Sequence, residues 1–213
     1  MTPDRETRKK LLTERRKSQI LDAAMEVFTN KGFSAATIPA IAKTAGLAAG
    51  TIYIYYPSKR VLFIAVIESF MIYPLSNIFR QAASEEFQVT LKEAIKDRVK
   101  FLEGGNLSRL TSLIGEIQRD PELKTLYINR VFQPFIGFME SFYTKQINSG
   151  RFRQIEPALA VRFVASLIVG MTLLISLEGD SSPFNKITNE RLTSELMNFI
   201  LNGLMNWEKT NQA

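Results

Sequence analysis

The segment Thr37-Ile38-Pro39-Ala40-Ile41-Ala42-Lys43-Thr44-Ala45-Gly46-Leu47-Ala48-Ala49-Gly50-Thr51-Ile52-Tyr53-Ile54-Tyr55-Tyr56-Pro57 leaves the backbone little choice. Thr37 is a good helix N-cap, and Pro39 is tolerated in a first turn. Ile38, Ile41, Ala42 and Ala45 recur at helical spacing, and the alanines allow close approach of a neighbouring helix. Gly46 supplies a turn with Leu47 as the apolar plug beneath it, and Pro57 stops a second helix over about 48–55. Two short helices joined by a glycine-containing turn form the unit that helix-turn-helix DNA readers share.

Charge points the same way without using the motif. Residues 1–60 carry 11 basic and 5 acidic side chains, the whole of the formal +6, whereas residues 61–213 carry 16 of each. A basic segment on an otherwise neutral chain is the electrostatic footprint of a polyanion partner. Residues 1–17 hold Arg5, Arg8, Lys9, Lys10, Arg15, Arg16 and Lys17, and read as a mobile arm merging into a first helix.

Other chemistries are closed off. The chain has no Cys and no His, which removes disulfides, thiolate or imidazole metal sites, and nucleophilic mechanisms that need a histidine base. No catalytic residue, metal or cofactor is expected. Residues 1–6 lack the apolar run of a signal peptide. The longest uncharged apolar run, 163–177, has 15 residues, short of the roughly 20 that cross a bilayer. A buried or interface helix, no membrane partner and a cytoplasmic location are therefore expected.

Apolar residues Ile20, Ala24, Val27 and Phe28 place a first helix over about 13–30, ended at Lys31-Gly32. Ser58 caps a long fourth helix through Val61, Leu62, Ala65, Val66, Ser69 and Phe70, with Pro74 kinking or ending it. Further helices are expected near 88–103, 107–117, 121–147, 156–178 and 188–208, and no strand alternation is present. The fold class is all-α: a three-helix helix-turn-helix head joined by a long helix to a larger helical body.

Residues 17–67 resemble the N-terminal DNA-binding domain of the TetR family of bacterial transcription regulators. The resemblance runs through Ile20, Ala23-Ala24, Phe28, Gly32-Phe33, Thr37, Ile41-Ala42, Ala45-Gly46, Gly50, Tyr53, Tyr56, Lys59 and Leu62. It implies a DNA-binding domain over 1–60 and an effector-binding and dimerisation domain over 61–213. It also implies DNA contacts from Thr37, Lys43, Ala48, Ala49, Gly50, Thr51, Tyr53, Tyr55 and Lys59, with Tyr56 mainly a core aromatic. The partner is double-stranded operator DNA, bound by a homodimer across a pseudo-palindrome.

Departures from the family pattern narrow this. Ala48 stands where Ser or Thr is frequent, forfeiting a cap worth roughly 0.5–2 kcal/mol. Tyr55 replaces a frequent histidine, and Arg60 replaces an acidic residue against the helix dipole, a conflict that a nearby phosphate would relieve. With Ala48, Ala49 and Ile54 on the reading helix, methyl, backbone and shape contacts are expected to carry specificity more than side-chain hydrogen bonds.

Residues 61–213 contain 13 of the 15 phenylalanines. The run Val131–Met139 with Phe142-Tyr143 is aromatic enough for either a core or the wall of an apolar cavity. The resemblance implies a cavity for a small hydrophobic effector, with Arg98, Arg109, Glu116, Gln133, Phe135 and Met139 as candidate lining residues. It further implies a dimer interface on the last two long helices, through Phe163, Leu167, Met171, Leu196, Phe199 and Ile200. The function expected is a ligand-responsive repressor. An activator, an effector-independent regulator, or a helical small-molecule binder with a vestigial head are the alternatives.

Overall fold

The structure, a computed structural model, describes residues 4–81, 87–101 and 106–205. Helices account for nearly all of them. No strand occurs among the described residues beyond an isolated antiparallel bridge between Phe152 and Met205. Two compact units result. One is the described part of Met1–Ile72 with Ser112–Val131; the other is the described part of Tyr73–Thr111 and Phe132–Ala213.

The first unit opens with α1, Arg5–Ala35, capped by Asp4, whose side chain accepts the Thr7 N–H at 2.7 Å. The expected mobile arm is therefore helical from Arg5, because the Asp4 cap satisfies one of the free N–H groups of the first turn. Gly32 breaks the helical path at φ 73°, ψ 166°, where the chain turns before a last short stretch ending at Ala35. α2 (Ile38–Ala45), α3 (Ala49–Tyr55) and α4 (Lys59–Ile67) follow with the expected caps at Thr37 and Ser58.

The core of this unit is aromatic at its centre. Phe63 of α4 meets both Phe28 and Phe33 edge-on, with ring centroids 5.1 Å apart in each case. Ile20, Ala24, Ile41, Ile52 and Leu62 surround them, and all are at most 1% exposed. Leu113 and Ile117 of α7 (Asn106–Arg119), Leu123 of α8 (Pro121–Tyr127) and Val131 belong to the same core. The compact unit thus runs past residue 60 and recruits a later segment. Leu62, Phe63, Ile64, Val66 and Ile67 are its buried interior rather than a linker.

Two π-helical turns break the helical path, the first beside Pro74, where a kink or end was expected, the second inside a helix expected to be continuous. Glu68–Ile72 separates α4 from α5 (Tyr73–Gln81), and Ile128–Phe132 separates α8 from α9 (Gln133–Asn148). Each ends two residues before a proline, Pro74 or Pro134. A proline has no N–H for the carbonyl four residues back and its ring clashes with it, and a widened turn absorbs the misfit. The single helix expected over 121–147 is divided for this reason.

The second unit packs α6 (Phe87–Phe101), α9, α10 (Pro157–Glu178) and α11 (Asn189–Leu204), with α11 against α6 and α10 against α9. Leu91, Ile95, Tyr143, Phe152, Ala160 and Leu204 are among its buried residues. Positions 102–103 and 206–208 of the expected helices lie outside the described residues.

Gly32 offers a test of how the first unit closes. A Cβ there would adopt a conformation that L-residues rarely take and would meet Glu116 Oε1 at 3.0 Å, whereas Gly46, also at positive φ, has nothing within 4 Å. Gly32→Ala is expected to cost roughly 1–3 kcal/mol in urea denaturation. Gly46→Ala should cost less, and Glu116→Ala should recover part of the Gly32→Ala loss. Equal losses at the two glycines would refute this.

Candidate nucleic-acid interface

The turn between α2 and α3 is built as its residue types demand. The Thr37 hydroxyl accepts the Ala40 N–H at 3.3 Å. Gly46 takes the left-handed conformation, φ 64° and ψ 36°, and the Leu47 N–H returns to the Ala42 carbonyl at 2.8 Å. Ala48 stands at the N-cap of α3 with no side-chain bond, so the cap forfeited in the sequence is absent in the fold.

Ile52, fully buried, fixes how α3 sits. At about 100° per residue, Tyr56 shares its inward side and Ile54 points the opposite way. Tyr56 is 8% exposed, Tyr53 52% and Ile54 78%. Thr37, Lys43, Ala48 and Gly50 are exposed, while Ala49, Thr51 and Tyr55 are half-buried, Ala49 and Tyr55 packing on the head core. Ile54 was not among the expected contacts, yet it is the most exposed large apolar side chain on this face. Its offset of two residues from the inward Ile52 was the signal that marked it.

Lys59 departs from expectation. Its Nζ donates to the carbonyls of Phe33 (2.8 Å), Ser34 (3.3 Å) and Ala36 (2.9 Å), and sits 4.4 Å from the centroid of the Phe33 ring. An ammonium has three N–H donors, and all three are engaged here. Burial above all, with the neighbouring Arg60, lowers its pKa, against Glu116 and Asp120. Lys59 is a tie between the end of α1 and the start of α4.

Arg60 finds carboxylates where a phosphate was expected. Its Nε and Nη2 donate to Asp120 Oδ2 at 3.3 and 3.1 Å, and its Nη1 lies 3.1 Å from Glu122 Oε2. The other Asp120 oxygen caps α8, accepting the N–H groups of Glu122 and Leu123 at 2.9 and 3.1 Å. The Leu123 N–H is the main cause of a lowered Asp120 pKa, with Arg60 and the Glu122 N–H adding to it against partial desolvation. Glu116, expected in an effector pocket of the body, belongs instead to the head unit, 3.8 Å from Arg119. It helps line a cleft of about 500 Å³ with Ser34, Arg60, Arg119, Asp120, Pro121 and Glu122.

In the second unit, the other candidate effector residues are dispersed. Arg98 of α6 is 9% exposed, pairs with Asp97 and lies 5.1 Å from the Phe101 ring centroid. The side chain of Arg109 lies outside the described residues. Gln133 is exposed, Phe135 half-buried, and Met139 is a core residue of this unit, as is Tyr143, whose pKa burial pushes up. A cleft of about 470 Å³ is lined instead by Thr144, Ile147, Asn148, Gln154, Ile155, Glu156 and Pro157.

Of the expected interface residues, Phe163 and Phe199 are 60% and 67% exposed, and Leu167 and Leu196 are half-buried. Met171 and Ile200 are corrected to core positions, at 5% and 2% exposure, because they lie on the inward sides of α10 and α11. Leu159, Val169, Leu173, Leu174 and Leu177 add to Phe163 an exposed apolar face along α10. The helical stretch Pro157–Ser181 is long and apolar enough to cross a membrane, with a window of mean hydropathy 2.2. That corrects the expectation drawn from the 163–177 run, since the apolar helix continues through Arg162.

Comparison with known proteins places this geometry. The family model for bacterial regulatory proteins of the tetR family matches residues 20–66. The fatty acid metabolism regulator protein of Bacillus subtilis is 28% identical over 155 residues, covering 71% of this chain and 77% of the relative. The HTH-type transcriptional regulator BetI of Cronobacter sakazakii is 27% identical over 203 residues, covering 91% and 95%. Among solved structures, FadR of Bacillus subtilis in complex with stearoyl-CoA superposes with a TM-score of 0.68 at 23% identity, covering 87% of this chain and 98% of that one. FadR of Bacillus halodurans gives 0.69 at 24% identity, covering 88% and 95%.

The two ties at the start of α4 have separable signatures. Lys59→Met leaves three carbonyls without their donor and is expected to cost about 1–3 kcal/mol in urea denaturation. A lowered Asp120 pKa means that the folded carboxylate adds stability above the ordinary carboxylate value of about 3.9, lost as pH falls through the lowered folded value. The wild-type advantage over Asp120→Asn in thermal melts should therefore be full at neutral pH and narrow below about pH 4. A gap that stays constant through this range would contradict the assignment.

Proposed function

The chain belongs to the TetR family of bacterial regulatory proteins, and from that footing we propose that it is a cytoplasmic repressor that binds a pseudo-palindromic operator as a homodimer and releases it on binding a largely hydrophobic small molecule. That it is a helix-turn-helix transcription regulator and not an enzyme follows from its relatives. The observation that carries the finer reading is the outward face of α3, where Tyr53 and Ile54 stand exposed on a helix locked by Ile52.

In this reading α3 enters the major groove. Ile54 packs on thymine methyl groups, and Tyr53 bonds phosphate or packs on sugar. Lys43, Thr37 and the backbone at Gly50 hold the register through phosphates, contacts that position the reader without reading sequence. The exposed apolar face of α10, with Phe199 of α11, supports a second copy as its cover, since two heads are needed to read two half-sites. A relative that regulates fatty acid metabolism and a similar fold that holds stearoyl-CoA support an acyl-chain effector. Such a ligand releases DNA only through a higher affinity for the state that cannot bind it.

A gel-shift with the DNA beside its own gene tests the whole. Specific retardation that weakens on adding stearoyl-CoA is expected, and no specific binding to flanking or genomic fragments at low salt would defeat the reading. Ile54→Ala removes roughly three buried carbons and should lower operator affinity about 10-fold or more, leaving non-specific binding unchanged. Phe163→Arg with Leu174→Arg should convert a dimer to a monomer in light scattering; a wild-type monomer would exclude the dimeric reader.

A further inference from the structure

The first half of α1 buries no side chain within the chain. From Arg5 to Gln19 no residue is buried; the first buried position is Ile20. At 1.5 Å per residue this is a free helical length of about 22 Å, roughly two-thirds of a duplex turn. Helices of this length are marginal in water unless something stabilises them.

One side of this helix is purely basic. Arg5, Arg8, Lys9, Arg15 and Arg16 fall at i, i+3, i+4, i+10 and i+11, a spacing that puts them along one side of the helix. Glu6 and Glu14 fall on the other side together with Lys10 and Lys17, and Glu14 pairs with Lys17 at 3.0 Å. None of Arg5, Arg8, Lys9 and Arg15 forms an ion pair among the described residues. Arg5 also stands in the first turn, against the helix dipole, and like charges three and four residues apart repel. The folded chain leaves this stripe electrostatically unbalanced.

The stripe is also fixed in register to the reading unit. Arg16 Nη1 donates to Gln19 Oε1 at 3.0 Å, and Gln19 Nε2 donates to the carbonyl of Ala45, the last residue of α2, at 2.6 Å. A flexible arm would sample many directions; a helix tied at this point presents one basic edge from the head.

We propose that Arg5–Gln19 is a second DNA-binding element, a rigid basic edge that lies along phosphates flanking the base pairs read by α3 and adds affinity without sequence preference. This rests on the DNA-binding reading above. DNA is favoured over an anionic lipid surface because the segment has no aromatic anchor and exposes only two large apolar residues, Leu11 and Leu12.

The test compares the full chain with an Arg5→Gln, Arg8→Gln, Lys9→Gln variant on duplexes recovered by in-vitro selection with the wild-type protein, each prepared with long flanks and with flanks trimmed to the selected core. All three positions are exposed, so thermal melts should be unchanged. On long flanks the variant should bind about 10-fold or more weakly, with a salt slope shallower by up to about 0.9 per lost phosphate contact. On trimmed duplexes the two proteins should bind alike. Equal binding on long flanks, or equal loss on both duplexes, would overturn the proposal. So would loss of binding to phosphatidylglycerol vesicles with DNA affinity unchanged. Selection that recovers no duplex at all would instead overturn the DNA-binding reading, and this proposal with it.

Discussion

The ammonium of Lys59, set among the carbonyls of Phe33, Ser34 and Ala36, decides how the reading head closes. Gly32 turns the chain out of α1, and the carbonyls beyond it have no helical partner of their own. A cation satisfies three of them at once, and the desolvation that lowers its pKa is offset by charge-assisted bonds and the Phe33 ring face. The same closure seats Phe33 and Phe28 edge-on to Phe63. Lys59 therefore joins both ends of a core on which α2 and α3 rest.

That core is not made by the head alone. Leu113, Ile117, Leu123 and Val131 arrive from far along the chain, and Arg60 binds the carboxylate that caps α8. An exposed ion pair contributes little by itself, but here one oxygen of Asp120 holds a helix end while the other holds Arg60. The start of α4 and the start of α8 thus share a single carboxylate. Packing and polar contacts agree that 112–131 is part of the unit that carries α3.

Local chemistry made the helix-turn-helix readable. Thr37, Gly46, the missing cap at Ala48 and the inward Tyr56 each depend on neighbours within a few residues. The tertiary partners of Lys59 and Arg60 were not legible because they lie about 25 and 60 residues away, and a cation at a helix start looks the same whether a carbonyl, a carboxylate or a phosphate awaits it. Met171 and Ile200 failed for a related reason: on a helix apolar nearly all round, composition does not tell the core side from the outer side. The first π turn was half legible, since Pro74 announces a break but not its form, whereas the one before Pro134 was missed.

On α10 the geometry separates a core side from an uncovered one. A helix alone in lipid has every face in contact with acyl chains, so each must be apolar. α10 instead turns Ala160, Val161 and Met171 into its own core, and Arg162 donates to Glu140 Oε1 at 2.8 Å and to the Ala158 carbonyl at 2.7 Å. What remains uncovered is one stripe, from Leu159 and Phe163 through Leu173 and Leu174 to Leu177. Small residues Ser166 and Gly170 sit within it. A stripe of large side chains around a small-residue gap suits another helix surface, and burying each such side chain is worth about 1.5–3 kcal/mol. A second copy would supply that surface twice by symmetry, as the dimeric reader proposed above requires.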